Sequence, residues 1–350
     1  MSKAVKAARI VAPRRMEIQS EEVRDPREGE VAIRSLASGI SAGSELNAYR
    51  GLAPYWNRRL DPKTRLFVPS SEPDWKYPFT WGYQCAGIVE EVGDEVGPLK
   101  PGDFVFAYAG HREYSVVPKA KCVKIPRPAR ADHAVFLSNV NTAYNGLLDA
   151  RPVLGAVVVV MGLGIVGQLV TRLLTRTGPA MLVAVDNVGT RRDLARDAGA
   201  THVLDPATDE VAETVRDLTR GRGADIVIEV SGASAALGEA IRTVGLDGTV
   251  VAMSWYGGTF ENLNLSGEFH FNRPRIKASQ VANLNPELGP TWSMDRRMAY
   301  AVDALETLDL EALISHRVPL EKAPEMFDLL DNSPADAMQI ILQYQVEEST

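Results

Sequence analysis

An α/β chain is predicted, in which a β-rich unit precedes a doubly wound parallel sheet. Three observations carry this. AVVVVM at 156–161 is a continuous apolar run, as a strand buried on both faces requires. It leads into GLGIVGQL, a glycine-rich turn opening a segment whose apolar residues Ile165, Val166, Leu169, Val170, Leu173 and Leu174 recur with helical period. Beyond it, strand-like and helix-like segments alternate as far as residue 253, the pattern of a parallel sheet covered on both faces.

The elements follow in order. VAIR at 31–34, CAGIVEEV at 85–92, FVF at 104–106 and YSVV at 114–117 read as short strands, separated by Gly, Pro and Asp turns such as PGD at 101–103. The span 49–79 is irregular and rich in Pro, Trp and Arg; Tyr55, Trp56, Trp75 and Tyr77 favour an ordered loop that covers something. After the glycine turn come a strand at 181–186, a helix at 190–198 ending at Gly199, a short strand at 203–204 and a helix at 211–219. A strand at 225–230, a helix at 235–244 and a strand at 249–253 complete the series. A helix at 296–308, a second marked by the stripe Ala323, Met326, Phe327 and Leu330, and a closing strand at 338–344 then suggest that the chain returns to its first domain. The expected division is 1–126, 127–290 and a return over 291–350.

A chain of 350 residues is too long for one ordinary core, which makes two domains the default. The formal net charge is −7 and the basic residues are scattered, so nucleic acid is not expected as a partner. The start, MSKAVKAARIVAPRRME, has no apolar run of signal-peptide length, and no stretch approaches 18 apolar residues; a cytoplasmic protein that does not enter membranes is expected. Cys85 and Cys122 make no zinc or redox spacing.

Gly162, Gly164 and Gly167 form G-x-G-x-x-G between a buried strand and a helix. The first allows a tight turn, the second lets backbone approach a pyrophosphate, and the third lets helix pack on strand. The helix N-terminus, from Leu163, Ile165 and Val166, offers free N–H groups to phosphate. Asp186, followed by Asn187, ends the next strand, where a carboxylate binds ribose hydroxyls and repels a 2′-phosphate. NAD is therefore favoured over NADP. Arg191 and Arg192 leave the alternative open, either accommodating a 2′-phosphate or pairing with Asp193 and Asp197.

The stretch FTWGYQCAGIVEEVG places polar Tyr83 and Gln84 where an apolar strand begins, and buried polar groups need partners or a task. Here the chain resembles the medium-chain dehydrogenase/reductase superfamily, the zinc alcohol dehydrogenase-like proteins. GEVAIRSLASGI, GYQCAGIVEEVGDEV, LKPGDFVFA, HREYSVVP, NTAYNGL, GLGIVGQL, ARDAGATHVLD, GADIVIEVSG and VPLEKAPEMFDLL occur in that family's order. The resemblance implies a GroES-like catalytic domain made from both chain ends, a Rossmann domain between them, and a homodimer or homotetramer. It also implies cofactor contacts from Thr142, Ser231, Ser254 and Trp255.

The departures bear on the metal. Ser41 stands where zinc members carry Cys, Gly82-Tyr83-Gln84 where they carry Gly-His-Glu, and Ser138 where the third ligand is expected. Ser, Tyr and Gln are poor zinc ligands. Two cysteines also cannot supply the family's four-cysteine structural lobe. No zinc is expected. Hydride transfer would then need protein donors, and Tyr83 and Ser44, helped by Gln84, are the candidates; the alternative is that Tyr83 and Gln84 only fill the vacated metal cavity and satisfy each other. Ser41, Glu45, Tyr55, Trp56, His111, Asn139 and His270 are the candidate substrate contacts; Asn139 and Asn141 can instead cap the following helix. His133, His202 and His316 read as structural or solvated.

The expected activity is alcohol/ketone interconversion on a hydroxylated small molecule. The alternatives are a quinone or enoyl reductase, an epimerase or lyase that retains NAD, and a non-catalytic redox sensor.

Overall fold

The structure is a computed structural model that describes residues 2–52, 58–70, 76–126, 130–256 and 263–345. Tyr55, Trp56 and Trp75 lie outside the described residues. The chain divides into two units, Met1–Ser138 with Leu313–Thr350, and Asn139–Ala312. Both divisions fall later than the 126/127 and 290/291 drawn from the sequence. A short helix at Ala131–Ala134 packs on first-unit strands, and the helix Met294–Thr307 is tied into the second unit through buried Arg297.

The first unit opens with a hairpin that the sequence reading did not identify. Strand β1 (Lys3–Ala12) pairs antiparallel with β2 (Arg15–Val23), turning at Arg14, whose φ is +56°. Next come β3 (Glu30–Ile40), α1 (Ser44–Tyr49), β4 (Arg58–Leu60), β5 (Phe67–Pro69), β6 (Phe79–Thr80) and β7 (Cys85–Val92). The strands β8 (Phe104–Ala107), β9 (Tyr114–Pro118) and β10 (Cys122–Lys124) lead to α2 (Ala131–Ala134). The strand foreseen at 31–34 is thus the start of a longer one, which runs to the edge of the candidate site at Ile40.

The helix α3 (Leu137–Ala150) begins at the boundary. In the second unit follow β11 (Val157–Met161), α4 (Ile165–Thr175), β12 (Met181–Val185), α5 (Gly189–Asp197), β13 (His202–Leu204) and α6 (Val211–Leu218). Then come β14 (Ala224–Glu229), α7 (Ser234–Thr243), β15 (Val244–Ala252), α8 (Glu268–Asn272), β16 (Arg275–Ala278) and α9 (Met294–Thr307). The strands form one parallel sheet in the order β13-β12-β11-β14-β15-β16. Connections leave β11 first to one side and later to the other, so the sheet has its switch point between the C-terminal ends of β11 and β14, where ligands bind in open α/β sheets. Val157, Val159, Val183, Val227 and Val250 fill one face of this sheet under Val211, Val215 and Leu237. These apolar runs on β11, β12 and β14 explain why the alternation was legible in the sequence.

The chain then re-enters the first unit as β17 (Ile314–Pro319), α10 (Ala323–Asn332) and β18 (Gln339–Gln343). β18 lies antiparallel to β3 and parallel to β17, within the order β10-β8-β7-β3-β18-β17; β9 also pairs with β3. Phe327 and Leu330 from α10 share a core with Ile10, Ile40 and Tyr49, so both chain ends depend on one cluster. No helix among the described residues is long and apolar enough to cross a membrane.

Candidate active site

In the first unit, β3 ends at Ile40 and the chain turns through Ser41 into α1. The turn brings Ser41 and Glu45 into reciprocal contact. Glu45 N–H donates to the Ser41 carbonyl at 3.1 Å, and Ser41 N–H donates to Glu45 Oε1 at 3.1 Å. Tyr83 precedes β7, and its hydroxyl donates to Ser41 Oγ at 2.5 Å. Burial, and then the Glu45 carboxylate, push this phenol up to about 12, against the hydrogen bonds with Ser41 and Ser44 that favour ionisation. Tyr83 therefore keeps its proton at neutral pH.

Behind the hydroxyl pair runs a buried chain of hydrogen bonds. Glu45 Oε2 meets His111 Nε2 at 2.8 Å, His111 Nδ1 meets Ser38 Oγ at 2.8 Å, and Ser38 Oγ meets the Tyr344 hydroxyl at 2.7 Å. Serine, histidine and carboxylate in that order have the connectivity of a hydrolytic triad. Ser38, His111 and Glu45 are all 0% exposed, so this serine has no access to a substrate. The set is a support for Ser41 and Tyr83.

Three expectations are corrected here. His111 does not face substrate, because both its ring nitrogens are engaged in the interior. Glu45 is likewise enclosed, held by His111 and Ser41. Gln84 is fully buried with its carboxamide against Gly39, where an added Cβ would lie 2.5 Å from Oε1. It is therefore not placed as a catalytic group. Ser41, Ser44 and Tyr83 are brought together and are half-buried. Tyr55 and Trp56 lie outside the described residues. Ser138 is buried at the start of α3. Among the described residues no three His, Cys, Asp or Glu side chains converge as a metal site.

The raised phenols make a prediction about alkaline stability. Tyr83 and Tyr344 both have folded pKa values above the ordinary value of 10. The stabilising contribution of each is complete below about pH 10, and that of Tyr83 is lost as pH rises toward 12, because the unfolded phenol ionises first. Urea midpoints should therefore fall between about pH 10 and 12, and fall less steeply in Tyr83→Phe. Equal slopes for the two proteins would contradict the assignment.

In the second unit the glycine turn has the expected construction. Gly162 has φ +97°, and an added Cβ would meet Ser231 N at 2.6 Å. At Gly167 a Cβ would lie 1.9 Å from the Gly162 carbonyl oxygen, whereas nothing lies within 4 Å of one at Gly164. The turn is closed around its first and third glycines and open at its second. Leu163 is buried beneath the turn, and Ile165 and Val166 begin α4. Asp186 follows β12, accepting Leu163 N–H at 2.7 Å on Oδ2 and Val188 N–H at 2.8 Å on Oδ1. This locks the acid to the turn, while each oxygen keeps capacity for a further donor. Asn187 is exposed beside it, and Arg191 is half-buried on α5.

Sequence reasoning missed Glu229, which ends β14 at the switch point and is 0% exposed. Oε1 accepts Ser231 N–H at 2.7 Å, Ser231 Oγ–H at 2.5 Å and Gly232 N–H at 3.0 Å, and Oε2 accepts the Tyr256 hydroxyl at 2.5 Å. It shapes the loop carrying Ser231. The signal was present, since Glu229 ends a buried strand and Asp186 stands one residue past the end of another. Ser254, after β15, has a buried Oγ with no hydrogen-bond partner among the described residues; Trp255 is exposed.

Asn139 is buried in the first turn of α3, which corrects its expected presentation to substrate. Asn141 and Asn145 accept from the buried Arg297 guanidinium, the first at 2.9 Å, and Asn145 donates to Asp149 at 3.0 Å. These amides serve the interior, and Thr142 between them is half-buried. His270 is exposed on α8, which packs beside β15 and α7, with its ring edge-on to Phe271; it is not at the switch point between β11 and β14.

Residues 27–127 match the alcohol dehydrogenase GroES-like domain family, and residues 166–294 match the zinc-binding dehydrogenase family. The chain belongs to the medium-chain dehydrogenase/reductase superfamily. A relative, the D-guloside 3-dehydrogenase of Shigella flexneri, is 29% identical over 94% of this chain and 97% of its own length. The L-threonine 3-dehydrogenase of Pyrococcus abyssi is 27% identical over 90% of this chain and 91% of its own. The fold matches the zinc-dependent alcohol dehydrogenase 2 of Streptococcus pneumonia with a TM-score of 0.82 at 22% identity, covering 99% of this chain and 100% of that one. As a member of the superfamily, the chain is an oxidoreductase that uses a nicotinamide cofactor.

Proposed function

We propose that the chain is a zinc-independent, NAD(H)-dependent dehydrogenase that interconverts an alcohol and a ketone on a polyhydroxylated substrate, a sugar or glycoside. The observation that carries this is the Tyr83–Ser41 hydroxyl pair backed by Glu45. It stands where the family's zinc members carry metal ligands. Two hydroxyls bonded to each other do not fit zinc, which takes thiolate, imidazole and carboxylate, and the neighbouring Glu45 and His111 are bonded to one another. The same hydroxyls suit a substrate oxygen.

The second unit fits a dinucleotide. The open position at Gly164 and the N-terminus of α4 would hold the pyrophosphate, and Asp186 the ribose hydroxyls. Ser254 Oγ, buried with no partner among the described residues, offers a further polar contact. When bound, the nicotinamide supplies the hydride donor or acceptor. Tyr83 holds a proton and passes it through Ser41 Oγ to a substrate oxygen that has gained negative charge; in the other direction the pair orients the hydroxyl to be oxidised. The D-guloside dehydrogenase relative, spanning nearly both whole chains, supports a sugar-like substrate.

The test combines metal quantification with NAD⁺ reduction over a panel of glycosides and polyols. Activity without bound metal is expected, and Tyr83→Phe should lower kcat by at least about tenfold. An unchanged kcat removes Tyr83 from the mechanism. Stoichiometric zinc required for turnover overturns the metal-free reading, and failure of every glycoside and polyol overturns the substrate class. A homodimer or homotetramer belongs to the same proposal, supported by the sheet edge at β16, which pairs with no further strand among the described residues and where Ile276 and nearby Phe271 are exposed. Sedimentation as a monomer would remove it.

A further inference from the structure

We infer that Asp205 sets cofactor choice, by holding Arg192 so that it does not receive a 2′-phosphate. The inference rests on the NAD reading above and assigns part of that selectivity to a residue outside the glycine turn. β12 and β13 are parallel neighbours with Val185 opposite Leu204. The residues that follow, Asp186 and Asp205, therefore leave the sheet side by side, and Asp186 N–H donates to the Leu204 carbonyl at 3.2 Å.

Arg192 reaches this edge from the first turn of α5. Its NH1 donates to the Asp186 carbonyl at 2.7 Å and pairs with Asp205 Oδ2 at 2.9 Å. The two side chains are only 20% and 21% exposed, so solvent weakens the pair less than it would at an open surface. Asp205 is itself fixed. Its Oδ1 accepts Ala207 N–H at 3.0 Å, and its own N–H donates to Asp209 Oδ2 at 2.7 Å.

Of the two arginines that follow Asp186, one is thus neutralised by a carboxylate. A 2′-phosphate carries about −1.5 to −2 charges at neutral pH, by analogy with phosphorylated side chains. To use Arg192 it would have to displace Asp205 while facing both aspartates. Asp186 cannot turn aside, because both its oxygens hold backbone N–H groups. A ribose with a free 2′-hydroxyl meets neither obstacle and finds acceptors. Asp186 thus excludes the phosphate by repulsion, and Asp205 removes the cation that would have offset that repulsion.

The test is calorimetric binding of ADP-ribose and 2′-phospho-ADP-ribose to the full chain, which needs no turnover. Wild type should bind ADP-ribose at least about tenfold more tightly. Asp205→Asn keeps an acceptor for Ala207 N–H; it should tighten 2′-phospho-ADP-ribose about five- to tenfold and leave ADP-ribose within about twofold. Adding Arg192→Ala should abolish the gain. Asp205→Ser provides a second variant, and thermal unfolding confirms that each is folded. If wild type prefers ADP-ribose but neither variant gains affinity for the phosphorylated ligand, the assignment to Asp205 is overturned. If wild type prefers the phosphorylated ligand, the NAD reading falls and this inference with it.

Discussion

Glu45→Ala is expected to destabilise the first unit by about 2–4 kcal/mol, the cost of leaving buried polar groups unsatisfied beside a cavity. Glu45 accepts from Ser41 N–H and meets His111 Nε2; the carboxylate and the imidazole are fully buried and Ser41 is half-buried. Removing the carboxylate strands the imidazole and an amide, and leaves a cavity. Glu45→Gln keeps the volume and one acceptor, so its loss should be smaller. It also removes the charge that helps to raise Tyr83, so the phenol should titrate closer to its ordinary value. Urea denaturation measures the first effect, and the ultraviolet tyrosinate titration of wild type against Glu45→Gln the second. A Glu45→Ala protein within about 1 kcal/mol of wild type would show that the buried chain is not a support.

The glycine turn should separate folding from binding. Gly167→Ala places a Cβ 1.9 Å from the Gly162 carbonyl oxygen, and backbone cannot yield as a flexible side chain does. The variant should unfold at much lower temperature, or not accumulate as folded protein. Gly164→Ala meets nothing within 4 Å, so its Tm should stay near that of wild type. Its ADP-ribose affinity should nevertheless fall by about tenfold or more, because the added methyl occupies the space left for the pyrophosphate. Thermal melts and calorimetry on both variants check this. Equal loss of stability in the two, or undiminished binding by Gly164→Ala, would contradict the roles assigned to them.

Much of the second unit was legible because its strands are apolar throughout and its helices carry periodic stripes. β11, β12 and β14 declare themselves by composition, and Asp186 by directly following one of them. At α3 the sequence pointed only to Asn139 and Asn141, as substrate contacts or caps of a following helix. Its Asn141, Asn145 and Asp149 recur every fourth residue, but their buried partner, Arg297, is 156 residues away from Asn141. The terminal hairpin β1–β2 was missed because its strands are rich in charged residues and half exposed. Its membership of the core follows from Phe327 and Leu330, more than 300 residues later.

The same distinction applies to the site. Local sequence determined the glycine turn, the acid after β12 and the residue types at Ser41, Tyr83 and Gln84, because each is a matter of residue type at a short spacing. Only the tertiary structure decided which polar groups stay accessible and which are buried against one another. Tyr83 finds Ser41 across 42 residues, Glu45 finds His111 across 66, and Ser38 finds Tyr344 across 306. Those pairings arise because β3 lies between β7 and β18 in one sheet. A hydrogen bond depends on ångström-scale proximity, and spacing along the chain does not encode which distant strands become neighbours.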